Sequence, residues 1–234
     1  MDGLVPVIII GLILVFIALA VVGALQAKKR REAIRAWAMS HGLHFDRSKD
    51  YGLDERFGDF SFLRQGSDRY GFNRITGSWR GRELLGFDYH YATHSTDSKG
   101  RRRTHHHRFS AVILRARIPL QPLVIRAESF FDKVAGFFGY DDIDFESAEF
   151  SRRFHVKSRD RKWAYDVLHQ RTIEFLLESP RFSIQFDRGF AAAWQSTRFT
   201  PGDFQAALGV IEGILDRMPR YLVDQQSQAN QRTA

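Results

Sequence analysis

The chain opens on an unbroken apolar run. Gly3 to Leu25 carries no charged residue, and Val, Ile and Leu dominate it on every side rather than on one stripe. As a helix, Leu4 to Leu25 is about 33 Å long at ~1.5 Å per residue, enough to cross a ~30 Å hydrocarbon core. Pro6 falls near the first turn, where its missing N–H costs little. The pattern then changes abruptly at Lys28-Lys29-Arg30-Arg31. Glu32, Ala33, Ala36, Ala38 and Met39 continue the helix, and Gly42 followed by Leu43 is a C-terminal stop with its apolar contact. Ile34 and Trp37, three residues apart, share a face that can dock on the following domain.

From Leu43 to Arg126 the period shortens to two. Leu43–Phe45 and Phe60-Ser-Phe62 read as short strands, and Tyr70 to Trp79 as a longer one that ends in an Arg80-Gly81 turn. Leu85, Phe87, Tyr89 and Tyr91 then alternate with Gly, Asp and His, a strand with an aromatic face. A polar loop from Ser95 to Arg103 leads back through Phe109 to Ile118, and Leu123 to Arg126 follows two prolines. This order predicts an antiparallel meander.

The second half mixes helices in. Ser129 caps a predicted helix from Phe130 to Phe138, and Arg152 to Lys157 alternates with Phe154 and Val156 inward. Ser158 is placed to cap a helix over 159–168, with Asp160 in its first turn. Ile173, Leu176 and Leu177 form a helical face that Pro180 stops. Phe182 to Phe186, Asp187-Arg188-Gly189 and Phe190 to Gln195 read as a hairpin. Thr200-Pro201-Gly202-Asp203 is a helix start with Pro at N1 and an acid at N3. Phe204, Leu208, Ile211, Leu215, Met218 and Leu222 follow as one stripe, placed to cover a sheet face.

The fold class expected is therefore α+β: one N-terminal transmembrane helix, then a mainly antiparallel β body with short helices and a C-terminal amphipathic helix. The divisions are an anchor over 1–27, a basic juxtamembrane helix over 28–42, the body over 43–224 and a polar, disordered tail over 225–234. The anchor is not a cleaved leader: Met1-Asp2-Gly3 lacks the basic start, the apolar run is too long, and the basic flank reads as stop-transfer. The positive-inside rule places the N-terminus outside and the body in the cytoplasm. The chain has no cysteine and a net charge of +8. Disulfides, thiol catalysis and cysteine-ligated metals are thereby excluded. A cationic body beside a cytoplasmic leaflet is drawn to anionic lipid. No nucleic-acid partner is expected, since no helix-turn-helix, RNA-recognition or zinc-finger pattern is present.

Asp144-Phe145-Glu146, Phe150, Phe154-His155-Val156, Ser158, Asp160, Ala164-Tyr165 and Leu168 form a spaced pattern. The pattern resembles the shared segment of an uncharacterised bacterial family of N-terminally membrane-anchored proteins, over about 144–177. It departs after Leu168, where that family shows Leu-Thr-Pro and this chain has His169-Gln170-Arg171-Thr172. The resemblance implies a layout of anchor and body, with Phe150, Phe154 and Val156 packing and Ser158 capping. It implies no activity.

Two clusters could carry chemistry. His90 and His94 lie four apart on one strand face, and His105 and His107 share a face of the returning strand. If the hairpin closes near Lys99 and Gly100, His94 falls opposite His106. Imidazoles so gathered can hold a divalent metal, though Arg101, Arg102, Arg103 and Arg108 would repel it. The second cluster is Asp141, Asp142, Asp144, Glu146 and Glu149, whose spacing lacks the EF-hand pattern; a turn and a helix start account for it. No nucleophile elbow, P-loop, dinucleotide fingerprint or zincin motif is present, and no cofactor is expected. The function these features favour is a single-pass membrane protein with a cytosolic binding or scaffold domain, served by a protein partner and contacting anionic lipid through Lys28, Lys29, Arg30, Arg31, Arg101, Arg102, Arg103 and Arg108. The alternative is a membrane-tethered enzyme or metal-binding domain built on the histidines or the acids.

Overall fold

The computed structural model describes residues 4–127, 141–222 and 224. Its first element, α1 (Leu4–Ser40), is one continuous 37-residue helix. Burial along it changes character at a single point. Residues 11–26 are exposed on every side, whereas Ala27, Arg30, Arg31, Ile34, Trp37 and Ala38 form a half-buried to buried stripe at helical spacing. Over Gly11–Ser40 the helix is long enough, with an apolar enough window, to cross a membrane; its C-terminal part carries an ordinary docking face. The helix stops as its sequence requires. Gly42 adopts φ +70°, and the Leu43 and Gly42 amides donate back to the Ala38 and Met39 carbonyls at 2.9 and 3.1 Å. Leu43 is buried beneath that turn.

Among the described residues nine strands follow in one antiparallel sheet. They are β1 (His44–Asp46), β2 (Ser67–Trp79), β3 (Arg82–Thr96), β4 (Arg102–Arg115), β5 (Leu123–Ala127), β6 (Asp141–Ile143), β7 (Phe154–Ser158), β8 (Ser183–Asp187) and β9 (Phe190–Gln195), in the order β1-β2-β3-β4-β9-β8-β5-β7-β6. The helices are α2 (Leu53–Arg56), α3 (Ala148–Arg153), α4 (Arg161–Val167), α5 (Gln170–Glu178) and α6 (Pro201–Asp216). The fold is α+β, as the pattern predicted.

The meander stops at β4. The β8–β9 hairpin inserts between β4 and β5, with Ala111 opposite Trp194 and Ile113 opposite Ala192. Strand β9 carries Ala191, Ala192 and Ala193, all buried, so both of its faces admit close neighbours. One face of the sheet packs on α6 and the end of α1, through Leu84, Val112, Leu114, Phe204, Leu208 and Ile211. The other is closed by Leu53, Phe60, Phe62 and Leu63 over Phe87, Tyr89, Phe109 and Trp194. Burial on both sides explains why β3 is buried continuously from Gly86 to Ala92 rather than alternately.

Several local expectations need correction. Phe60-Ser-Phe62 is not a strand; Ser61–Leu63 is a 3-10 turn. All three side chains of Phe60, Phe62 and Leu63 point into one core, which a period of two cannot achieve. The backbone there is satisfied from the sheet, with Tyr89 Oη donating to the Leu63 carbonyl at 2.7 Å and Gln185 Nε2 to that of Asp59 at 2.8 Å. Arg152 and Arg153 end α3 instead of opening β7. The cap of α4 is Asp160, whose carboxylate accepts the Trp163 amide. Ser158 stands one step outside, its hydroxyl donating to the Pro122 carbonyl at 3.0 Å and accepting the Asp160 amide at 3.2 Å. The stripe of α6 includes Ala207, Val210 and Ile214, while Leu215 is only half-buried and the helix ends at Asp216. The Ser129-capped helix and the tail from Gln225 lie outside the described residues.

Candidate functional site: the anchor joint and the basic hairpin

Within β3 the aromatic run Phe87, Tyr89 and Tyr91 is interrupted by Asp88, which is fully buried. A buried carboxylate needs a partner of opposite charge and filled lone pairs, and Arg30 of α1 supplies the charge. Its Nη1 and Nη2 donate to Oδ2 and Oδ1 of Asp88, both at 2.8 Å, and its Nε donates to the Phe199 carbonyl at 2.8 Å. Asn73 Nδ2 donates to Oδ2 at 2.8 Å and the Ser110 hydroxyl to Oδ1 at 2.5 Å. Each carboxylate oxygen thus accepts two bonds. The Phe199 amide completes the joint by donating to the Ser110 hydroxyl oxygen at 2.9 Å. Asn73 can aim its amide there because it sits at φ +49°, a conformation Asn tolerates.

This joint revises the role of one residue in the basic block. Lys28 and Lys29 are exposed and Arg31 is half-exposed, but Arg30 is turned into the body and occupied there. Its position was legible: it lies four residues before Ile34, on the docking face. The charge run in which it is embedded concealed it.

The joint also sets direction. Arg30 meets the middle of β3 at Asp88, while Trp37 lies 6.0 Å from Trp79, which pairs with Arg82 at the start of β3. Helix α1 therefore runs opposite to β3. Toward its N-terminus, the helix has five residues from Arg30 to Leu25, a rise of about 7 Å. Over the same direction β3 has eight residues from Asp88 to Thr96, a rise of about 26 Å. The β3–β4 tip lies on the side of the body from which the apolar helix leaves.

That tip is longer than the sequence indicated. The ladder extends to Thr96 opposite Arg102, and the loop shrinks to residues 97–101. Asp97 tightens it by accepting the Lys99 and Arg101 amides at 2.9 Å each and Arg101 Nε at 2.9 Å. The Arg101 amide leads the contacts that hold the Asp97 carboxyl below the usual range. Lys99, Arg102, Arg103 and Arg108 have no ion pair among the described residues and are exposed. No large apolar side chain occupies residues 93–105, so the surface offered is cationic and polar.

The histidines are not gathered as expected. His94 pairs with Thr104, not His106, because the hairpin closes one residue earlier. His90 and His94 face the α1 side together with His106, whereas His105 and His107 face the opposite side. His90 is buried and both its nitrogens are engaged: Nδ1 donates to the Asp68 carbonyl at 3.0 Å, which leaves Nε2 to accept from His106 Nδ1 at 3.1 Å. His107 and His105 bond Thr93 and Ser95 hydroxyls at 2.8 and 3.0 Å. His94 bonds Thr104 and Ser67 hydroxyls. Among the described residues no group of three or more His, Asp or Glu is placed to hold a metal ion.

The acids also separate. Asp142 pairs with Lys157 at 3.2 Å and Glu149 with Arg153 at 2.5 Å, and all five are exposed. Glu149 lies in the first turn of α3, where the helix dipole favours it.

No family model matches the chain, and no curated protein matches it. A solved structure of similar fold is the crystal structure of the mycobacterial trehalose monomycolate transport factor A, TtfA. It shares 15% identity at a TM-score of 0.59, over 81% of this chain and 96% of that one. At that identity the likeness is one of fold.

Proposed function

We propose that this chain is a single-pass membrane protein whose α+β body is a cytosolic binding or scaffold module that contacts anionic lipid through the β3–β4 tip. The observation that carries this reading is the antiparallel course of α1 and β3, held by Arg30 and Asp88. It aims a tip bearing Lys99, Arg102 and Arg103, none of them ion-paired among the described residues, toward the side on which the apolar helix leaves. Each well-placed Lys or Arg near an anionic leaflet contributes about 1 kcal/mol. Lys28 and Lys29, exposed just beyond the apolar run, add to the contact. The positive-inside rule supports the cytoplasmic placement. The layout matches that of the anchored bacterial family whose segment residues 144–177 resemble, and we propose membership of it. The like-folded mycobacterial protein is a trehalose monomycolate transport factor; the corresponding proposal here is an accessory, lipid-handling role at the membrane, with no catalytic group assigned.

The test uses the absence of native cysteine. A polarity-sensitive label on Ser98→Cys, in full chain reconstituted in nanodiscs, should report the headgroup region when the lipid is part phosphatidylglycerol and water when it is all phosphatidylcholine. The difference should vanish at 1 M salt, where the Debye length falls from ~10 Å at 0.1 M to ~3 Å. Equal spectra on both lipids would refute lipid contact. A reporter fused after Ala234 that is active only in an exported form would refute the orientation.

A further inference from the structure

The side of the sheet that carries α6 also carries a groove of about 640 Å³ beside β6. One wall is the turn Asp144–Ser147 that leads into α3, and the other is a flank of α5. Phe145, Ile173 and Leu177 are half-buried, packed on the core beneath them together with Leu168. The floor is therefore apolar and still reachable from outside. Ile173 and Leu177 stand one helical turn apart and make a row along it. Tyr165 fixes the opposite wall: its ring meets Phe145 edge-on at 5.2 Å, and its hydroxyl donates to the Asp144 carbonyl at 3.1 Å. Carboxylates flank the floor on both sides, Asp144 and Glu146 on the turn and Glu174 on α5. All three are exposed, and none has an ion pair among the described residues. No Lys or Arg lines the groove among those residues, in a chain whose net charge is +8. An apolar patch with a polar rim marks an interaction surface, and acids on both walls favour a cationic partner over an anionic one. The cationic tip of a second copy does not fit, because residues 93–105 have no large apolar side chain to fill the floor.

We propose that this groove takes a basic amphipathic helix of a partner protein. Apolar side chains one turn apart on that helix seat on Phe145, Ile173 and Leu177, and its flanking Lys or Arg face Asp144, Glu146 and Glu174. The proposal rests on the reading of the body as a binding module and names the chemistry of its partner. It uses a different surface from the hairpin that meets lipid.

The probe is a fluorescein-labelled synthetic peptide, LKKLLKKLLKKL, read by anisotropy against full chain in phosphatidylcholine nanodiscs, with empty nanodiscs as background. Binding should saturate, and the acidic counterpart LEELLEELLEEL should not bind. The double change Asp144→Lys/Glu174→Lys falls on exposed residues and should weaken binding about tenfold. The change Glu55→Lys/Glu83→Lys alters net charge equally, on exposed residues outside the groove, and should leave affinity within about twofold, since surface charges act locally once screened. Ile173→Gln should weaken binding as well. Equal binding of the acidic peptide, equal losses from the two charge changes, or indifference to Ile173→Gln would overturn the assignment. Self-association of the peptide-free chain that Asp144→Lys/Glu174→Lys abolishes would overturn it too, by giving the groove to a second copy. The label at position 98 separates this proposal from lipid contact. Headgroup contact without saturable peptide binding would sink the groove alone, and saturable, groove-dependent binding with equal label spectra on both lipids would sink the hairpin alone.

Discussion

Changing Asp88 to Asn tests the joint between anchor and body with almost no change in volume. The native carboxylate accepts four hydrogen bonds, two of them from the Arg30 guanidinium at 2.8 Å. An amide in its place has one acceptor oxygen and an NH₂ group that must face a donor. Arg30 keeps the Phe199 carbonyl but loses its counter-charge, in a setting where its side chain is only 16% exposed. Removing one partner of a buried ion pair costs about 3 to 5 kcal/mol, a large fraction of the ~5 to 15 kcal/mol that a domain possesses. Arg30→Met should cost a similar amount, because it strands a fully buried carboxylate. The double variant Arg30→Met/Asp88→Leu is the discriminating one. Replacing both charges by apolar groups is often close to neutral, so the double variant should be less destabilised than the two single losses added together. The assay is urea denaturation of full chain in detergent micelles, followed by tryptophan fluorescence, since Trp37 and Trp79 sit at this junction. A loss below 1 kcal/mol for Asp88→Asn, or strict additivity in the cycle, would refute the claim that the pair fastens α1 to the sheet. The direction of the hairpin would then have no physical basis.

Two further outcomes follow from local geometry. Thr200→Ala should cost about 1 kcal/mol by thermal denaturation, because Thr200 and Asp203 form a reciprocal capping box at the start of α6; an unchanged midpoint would mean that packing alone sets the helix start. Asp187 is buried, with Asp59 nearby and Arg188 and Arg159 as weaker opposing charges, and burial pushes its carboxyl up to about 6. Its protonated form is favoured in the fold, so this group's contribution weakens as pH rises from about 4 to above 6. Asp187→Asn should therefore stabilise the chain at pH 7.5 by about 1 to 3 kcal/mol and flatten the dependence across that window; destabilisation at pH 7.5 would show that the ionised form is the one the fold uses.

The elements themselves were legible because their signals are local. The apolar run and the basic flank, the Gly42 stop, the Arg80-Gly81 and Arg188-Gly189 turns and the Thr200 cap each depend on residues within a turn of one another. Caps, left-handed turn residues and hydrophobic period act at that range, and the structure follows them. The errors also have a local cause. Phe60-Ser-Phe62 has a strand's spacing but three large side chains to bury on one side, and the surrounding sheet decided the matter. Asp97 closes the hairpin through bonds to its own loop, which moved the histidine register.

What needed the tertiary structure is whatever two distant segments decide together. The insertion of β8–β9 beside β4 joins residues some eighty positions apart, and no period within either strand specifies its neighbour. The histidines that meet are His90 and His106, because side-chain faces depend on register, and register depends on where the turn closes. Arg30 shows the difference most plainly. Along the chain it is the third of four bases beside an apolar helix, indistinguishable from its neighbours in charge. In the fold, the helix period carries it alone onto Asp88, whose burial makes a charged partner obligatory. The composition of the basic block follows from the residues alone; which of its charges stays exposed and which is withdrawn into the body is a consequence of packing.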